Sequence, residues 1–572
     1  MQRTKNLVNS KFREFFWPSI LMAASNSLSL VIDSIIVGNV LGSRELAAMN
    51  LILPVSLCYT AIVAIIGIGG STLISVKKGG GDDESSNKAF TVSFVCGVIL
   101  GIVGILIGLL GGKTIAAFLA VGSGLESFVY EYLKVFMLGS PFTVLLLILP
   151  HIAKADGQPK FSSVTLVVSN LSNLILDVVF MKFLGMGLAG GALATISGYA
   201  LGTIMYILYF KSSKRTIKFT PISLSDFAMI KEMFKLSIST MLGQGVMFAK
   251  MFMFNNIISR EVGAYGLAIY AVCNSLLAIV SLFIAGAAQT MIPMVGAFRG
   301  EKDYTSIENT IKRTITVLMI SSIAVTIILE IAPAPILRLY GVTDPEIIRA
   351  GIVAIRLFSL AFVGISFSFI TMYYMQVIGR FIYSMSICVL EGFVVIVSVC
   401  LLLVNLFGDN GVWISYPVNE LIIALYMLAM SKVFEHKSAG KIHSIFLFKK
   451  DERNKLELSV DVSLSEDREG ALNAVEAFAG GNGRTVMQDI LEIVTSSNVK
   501  NQKLLTDLLV YETDEGKISI NTIDLFTPHI ILPAETKGKI TQLEEKIERV
   551  AEEYKYTLVI GMNSINILFR NV

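Results

Sequence analysis

LGSRELAAMN (residues 41–50) and VGAYGLAIYA (residues 262–271) fall on one another when the chain is slid along itself. The offset, about 220 residues, marks an internal repeat. It also sets Gly67 on Gly286, Gly81-Asp82-Asp83 on Gly300-Glu301-Lys302, and GLAGGALA (187–194) on GDNGVWIS (408–415), with Gly157 falling near Gly379. Around these anchors lie apolar runs long enough to cross a bilayer, for which about 20 residues suffice. They fall at approximately 14–40, 46–76, 89–112, 128–150, 161–183, 188–210, 234–258, 265–295, 311–332, 350–375, 382–406 and 411–434. Six runs lie in each half, and an even number returns the chain to its starting side, so the halves are parallel repeats about an axis along the membrane normal. The expected fold is therefore an all-α polytopic membrane protein, with twelve transmembrane helices in two six-helix lobes. The lobes take residues 1–215 and 216–440, the basic segment 211–235 connects them, and a small cytosolic α/β sandwich domain follows at 449–572. Two such lobes enclose a substrate path and can rock against each other for alternating access.

The composition agrees with this reading. Hydrophobic residues make up 54% of the chain and charged ones 16%, and the mean hydropathy is +0.69. Soluble domains carry about a quarter charged residues. A net charge of +3, widely dispersed, gives no footprint for nucleic acid. The five cysteines (Cys58, Cys96, Cys273, Cys388, Cys400) lie in or beside apolar runs without CxxC or His–Cys spacing, so neither disulfides nor zinc are expected. The first apolar run is as long as a full span, carries an aspartate and lacks an A-x-A site; it reads as a retained helix and not a cleaved signal.

Basic residues fix the orientation. Connections on one side hold Lys5, Lys11, Arg13, Lys77, Lys78, Lys88, Lys154, Lys160, Arg299, Lys302 and Arg380, together with the basic connector. The other side holds only Arg44, Lys113, Lys182, Arg260, Arg338 and Arg349. The first side is expected to be cytoplasmic at the plasma (inner) membrane, with both termini on it. Pro18, Pro54, Pro141, Pro293 and Pro417 are expected kink sites. Gly97, Gly101, Gly104 and Gly108 line one side of the third span, a face suited to close helix approach.

Ionisable groups at membrane depth each cost on the order of 3 kcal/mol, so each calls for a reason. In the first half, Asp33 lies mid-span, and Asp177 follows Asn173 by one helical turn on the same face. Thr195 adds a hydroxyl near the Gly190–Gly191 carbonyls. These hard oxygens suit Na⁺ or a shared proton, because two neighbouring carboxylates in low dielectric do not both stay charged without a cation. The second half breaks the symmetry: Phe252 falls on Asp33 and Ser398 on Asp177. It carries Lys250, Arg356, Glu391 and Glu420 instead, and a Glu391–Lys250 or Glu391–Arg356 ion pair is the structural alternative to a second site or a cavity lining. Coupling is therefore assigned to the first lobe.

These residues, in this order, resemble the multidrug and toxic compound extrusion family over about residues 10–440. The likeness rests on Pro18 and Asp33 in span 1, the Gly-Asp turn after span 2, Ala-Asp-Gly-Gln-Pro-Lys (155–160), Asn173-xxx-Asp177 and Gly-Gly-Ala-Leu-Ala-Thr (190–195). The resemblance implies two lobes around a V-shaped cavity, and an antiporter, not an enzyme, that exports cationic or amphiphilic small molecules on a Na⁺ or H⁺ gradient. It carries the cation site over to Asp33, Asn173, Asp177 and Thr195. The acidic residue that some members hold in span 7 is replaced by Lys250 as the nearest charge. A lipid or lipid-linked precursor flippase of the same superfamily is the alternative, kept open by Lys250 and Arg356.

Strands are expected at 455–462, 503–511 and 516–523, an amphipathic helix at 537–554, and a closing strand pair turning at Gly561-Met562-Asn563. This domain resembles the histidine-kinase-like ATPases of anti-sigma-factor type. That family's Mg²⁺ asparagine is replaced, since Glu492 is followed one turn later by Ser496, and no glycine stands in the adenine loop near Asn521–Asp524. A degenerate domain that is regulatory or binds a cytosolic protein is expected, without ATP as cofactor. A membrane sensor with a nucleotide-binding domain is the competing class. The chain is expected to work as a monomer.

Overall fold

The computed structural model describes residues 6–120, 124–212, 215–339, 344–497, 505–513, 515–526, 528, 532 and 534–570. The first lobe comprises α1 (Leu7–Val40), α2 (Arg44–Gly79), α3 (Asp83–Leu119), α4 (Glu126–Leu138 with Ser140–Ala155), α5 (Pro159–Phe183) and α6 (Gly187–Lys211). The second comprises α7 (Ile238–Glu261), α8 (Tyr265–Gly300), α9 (Tyr304–Ile331), α10 (Pro345–Val377), α11 (Phe381–Phe407) and α12 (Asp409–Lys437). Among the described residues, ten helices are long and apolar enough to cross a membrane singly, and α4 makes an eleventh when its two halves count as one span. The expected seventh span forms as α7, but Gln244, Lys250, Asn255, Asn256 and Arg260 leave it too polar to pass by composition. Its polar groups need protein neighbours, and it packs on α2, α8 and α11.

Local breaks follow the sequence. The halves of α4 meet at 60°, with Pro141 at the start of the second half, where its missing N–H costs no helical hydrogen bond. Pro18, Pro293 and Pro417 lie inside α1, α8 and α12. The glycine stripe of α3 faces α4: a Cβ on Gly101 would lie 2.5 Å from Pro141 Cα, one on Gly104 2.5 Å from Ser140 Oγ, and one on Gly108 2.5 Å from Met137 Cβ. Exposed Leu106, Leu109 and Leu110 on the opposite side of α3 give it a lipid-facing surface.

α1 packs against both α5 of its own lobe and α8 of the other. α2 and α8 also cross between the lobes, and their ends touch without side chains. A Cβ on Gly79 would collide with the carbonyl of Ala297, and one on Gly300 with that of Val76. This seam lies on the face that carries Lys77, Lys78, Arg299 and Lys302, called here the basic face.

After α12, a two-stranded ribbon, β1 (Ile442–His443) and β2 (Phe448–Lys449), leads into the C-terminal domain. There β3 (Lys455–Asp461), α13 (Ser465–Ser497), β4 (Leu505–Glu512), β5 (Lys517–Asp524), α14 (Ala534–Val550), β6 (Glu553–Val559) and β7 (Met562–Arg570) form an antiparallel sheet in the order β3-β4-β5-β7-β6. Val460, Leu508, Ile520 and Ile567 pack on Val475, Ile490 and Ile547 of the two helices. On the other sheet face, Ser519, Asn521, Asn566, Glu553 and Lys555 meet Gly80, Gly300 and Lys302 around a cavity of about 240 Å³.

Candidate functional site

The four residues expected to form the cation site come together in the first lobe. Asn173 and Asp177 lie on the face of α5 that meets α1 and α6, and both are 2% exposed. Asn173 Nδ2 donates to Asp177 Oδ2 at 3.1 Å and to Thr195 Oγ1 of α6 at 3.3 Å. The Thr195 hydroxyl in turn donates to the carbonyl of Gly191 at 3.0 Å. From α1, Asp33 stands beside Asp177, within electrostatic reach of it. Two neighbouring carboxyl groups in low dielectric do not both stay charged without a cation or a proton.

The local backbone serves this arrangement. The α-helical part of α5 ends at Asp177, and a π-helical turn follows over Val178–Phe183. Such turns shift the side chains after them and occur often at functional sites. Several neighbours were not foreseen. Ser29, one turn before Asp33 on α1, donates to Asn173 Oδ1 at 3.4 Å. Asn170, about one turn before Asn173, donates to Ser25 Oγ at 2.9 Å and Asn26 Oδ1 at 3.0 Å. The i, i+4 spacing of Ser29 to Asp33 was a signal for the first of these. Tyr132 of α4 stands beside Thr195, and no periodicity pointed to it.

The second lobe corrects one expected pairing. Arg356 does not meet Glu391. It lies 3.8 Å from Glu330 Oε2 of α9 and donates to the Glu330 carbonyl at 3.2 Å, near the exposed edge of the bundle. Glu391, within a π-helical turn of α11 (Leu390–Val394), and Glu420 of α12 are buried neighbours joined by Asn419. The Asn419 amide donates to Glu420 Oε1 at 3.0 Å and to the carbonyl of Glu391 at 3.4 Å, and Ser368 donates to Glu420 Oε2 at 2.8 Å. Lys250 is the cation within electrostatic reach of both glutamates.

Ten or eleven apolar spans among the described residues, with a carboxyl pair set between α1 and α5, fit a multi-span membrane transporter. The MatE family model matches the chain twice, over residues 18–179 and 240–402, and the chain belongs to that family. Both matches end before the C-terminal domain. The chain is 28% identical to "Multidrug export protein MepA" of Staphylococcus haemolyticus, over 74% of this chain and 94% of that protein. It is 26% identical to the protein of that name in Staphylococcus saprophyticus, over 73% and 92%. The fold is that of the solved structure "Crystal structure of MATE in the bent conformation" (TM-score 0.69, 21% identity, 76% of this chain and 97% of that one). It is also that of a MOP superfamily transporter from Pyrococcus furiosus (TM-score 0.66, 20% identity, 76% and 100%).

Proposed function

We propose that this chain exports amphiphilic or cationic drugs across the plasma membrane by alternating access, driven by protons bound at Asp33 and Asp177. The observation that carries this reading is the hydrogen-bonded group of Asn173, Asp177 and Thr195 in the first lobe, with Asp33 beside it across the α1–α5 interface. Releasing the proton leaves two negative charges at close range in low dielectric, so deprotonation favours separation of α1 from α5. α1 also packs on α8 of the second lobe, so its movement is felt at the seam. The names of the staphylococcal relatives support drugs as substrates. The excess of lysine and arginine on the basic face supports a cytoplasmic location for that face and for both termini. The polar cluster of Lys250, Glu391 and Glu420 is assigned to the second lobe's own polar interior, not to coupling. The C-terminal domain, which lacks the nucleotide-binding residues of the ATPases it resembles, is assigned a regulatory role.

Counterflow of ethidium in proteoliposomes tests the reading. A pH gradient at constant Na⁺ should drive it in the intact protein, while Asp33→Asn and Asp177→Asn should abolish gradient-driven transport. Normal transport by both variants overturns the coupling site, and transport that follows Na⁺ at constant pH replaces the proton by Na⁺ at the same residues.

A further inference from the structure

The C-terminal domain stands on both sides of the interlobe seam. On the second lobe, Thr305 at the start of α9 donates to Glu457 Oε1 of β3 at 2.7 Å. Arg453 donates to the carbonyl of Lys302 at 3.0 Å, and its guanidinium lies 5.4 Å from the Tyr304 ring and 4.0 Å from that of Tyr511. Lys449 donates to the Tyr304 hydroxyl at 3.2 Å. On the first lobe, the contacts come from the other end of the sheet. The β6–β7 turn, with Ile560 and Gly561 both at positive φ, presses its backbone against Gly157 so closely that a Cβ on Gly157 would lie 2.3 Å from the Gly561 nitrogen. Lys11 of α1 donates to the carbonyl of Gly561 at 3.4 Å. Beside them, a Cβ on Gly81 would lie 2.8 Å from Lys555 Cδ of β6.

Glu457 and Lys555 belong to the two edge strands, β3 and β6, of one sheet. Four interstrand steps separate these edges, about 19 Å of hydrogen-bonded backbone. Between the two footings the lobes meet at Gly79 with Ala297 and at Gly300 with Val76. One sheet thus touches both sides of that seam.

The two footings are unequal. The domain is tethered covalently to α12 of the second lobe, where its contacts are also charge-assisted and aromatic. Its contacts with the first lobe are all non-covalent: the glycine turn, Lys11, Lys555, and the buried Ile523, Val559, Ile560 and Met562, which share an apolar cluster with Leu7, Val8 and Phe12 of α1. We infer that the C-terminal domain is a latch: it travels with the second lobe, and its β6–β7 edge must leave the first lobe whenever the seam opens toward the basic face. This rests on the two-lobed transporter reading above, and its test is chosen to be independent of drug transport.

The experiment uses the full-length chain with Cys58→Ser, since Cys58 is the exposed cysteine and the other four are buried. Ser75→Cys reports on the seam, because Ser75 is 1% exposed and a Cβ on Gly296 of α8 would lie 3.0 Å from Ser75 Cβ. A reducible bis-methanethiosulfonate linker joins either Gly81→Cys to Lys555→Cys, which ties the domain to the first lobe, or Thr305→Cys to Glu457→Cys, which ties it to the second. In membranes, the first-lobe tie should slow maleimide labelling at residue 75 at least tenfold, reversibly on reduction. The second-lobe tie should leave the labelling rate within twofold. Equal rates with and without the first-lobe tie, or the same slowing from both ties, overturn the latch. Ethidium counterflow in the reduced protein tests the transport reading separately, so a seam that labels as expected in a protein moving no drug would refute the export function and leave the latch standing.

Discussion

Lys154 of the first lobe donates to Gln289 Oε1 of the second at 2.5 Å, and its other acceptor, Ser19 Oγ of α1, lies at 3.0 Å. Both acceptors are neutral, and the lysine is 2% exposed. A buried ammonium held only by neutral oxygens keeps its place through the geometry of those hydrogen bonds, so the contact is sensitive to separation of the lobes. Lys154→Met should loosen the closed seam and raise maleimide labelling at Ser75→Cys by about tenfold, equivalent to about 1.4 kcal/mol. An unchanged labelling rate would show that the lysine does not hold the lobes together.

Asn173 is the hub of the carboxyl site, donating to both Asp177 and Thr195 and accepting from Ser29. Asn173→Leu should leave the protein folded but remove the donor that orients Asp177. The proton concentration for half-maximal counterflow should shift by about tenfold, within the about 1–3 kcal/mol that an unsatisfied buried polar group costs. Asp177→Asn should instead remove the pH dependence altogether. Counterflow measured across a pH series separates the two outcomes.

Two glycines of α3 should respond very differently to the same change. A Cβ on Gly101 would sit 2.5 Å from the backbone Cα of Pro141, which has nowhere to go, whereas the nearest atom to one on Gly111 is the tip of Ile115 at 3.9 Å. Gly101→Leu should destabilise the detergent-solubilised protein by about 1–3 kcal/mol or more, seen as a lower melting temperature. Gly111→Leu should leave that temperature nearly unchanged.

In the C-terminal domain, burial pushes the carboxyl of Asp524 up to about 6, with hydrogen bonds from Asn563 and the Phe526 amide working in the opposite direction. The folded domain therefore binds a proton more tightly than the unfolded chain. Its stabilising effect is complete below pH ~4 and lost as pH rises through about 6, a change on the order of 3 kcal/mol. Asp524→Asn keeps an acceptor for both donors, should flatten this slope, and should stabilise the domain at pH 7. Thermal unfolding followed by circular dichroism between pH 4 and 7 checks both effects; a wild-type domain that gains stability from pH 4 to 6 would contradict them.

Much of this was legible because it depends on short-range spacing. Asn173 and Asp177 share a helix face by their separation of four. The glycines of α3 announced a close neighbour, though not that it is α4. The expected strands at 455–462, 503–511 and 516–523 lie within two residues of β3, β4 and β5. What was not legible depends on the order of helices in space. Arg356 went to Glu330 because α9 packs beside α10, and no periodicity ranks one buried acid above another. Glu492 and Ser496 read as one helical turn apart and both lie in α13, but the extent of that helix was not legible; the chain leaves helical geometry at Gly480 and then resumes. The π-helical turns at Val178 and Leu390 insert residues that no heptad or 3.6-residue pattern reveals. Gly157 reads as an ordinary turn glycine until Gly561 is found against it.

That last pairing also bears on how the protein is made. Lys11 finds its backbone acceptor 550 residues further along the chain, so the first helix to enter the membrane is among the last to acquire its complete set of partners. During synthesis both lobes can insert and associate while the underside of the first remains bare. Only when the final hairpin has left the ribosome can the molecule be fastened shut, which makes maturation a step that follows assembly and confines the unlatched form to newly made protein and to the open phase of each cycle.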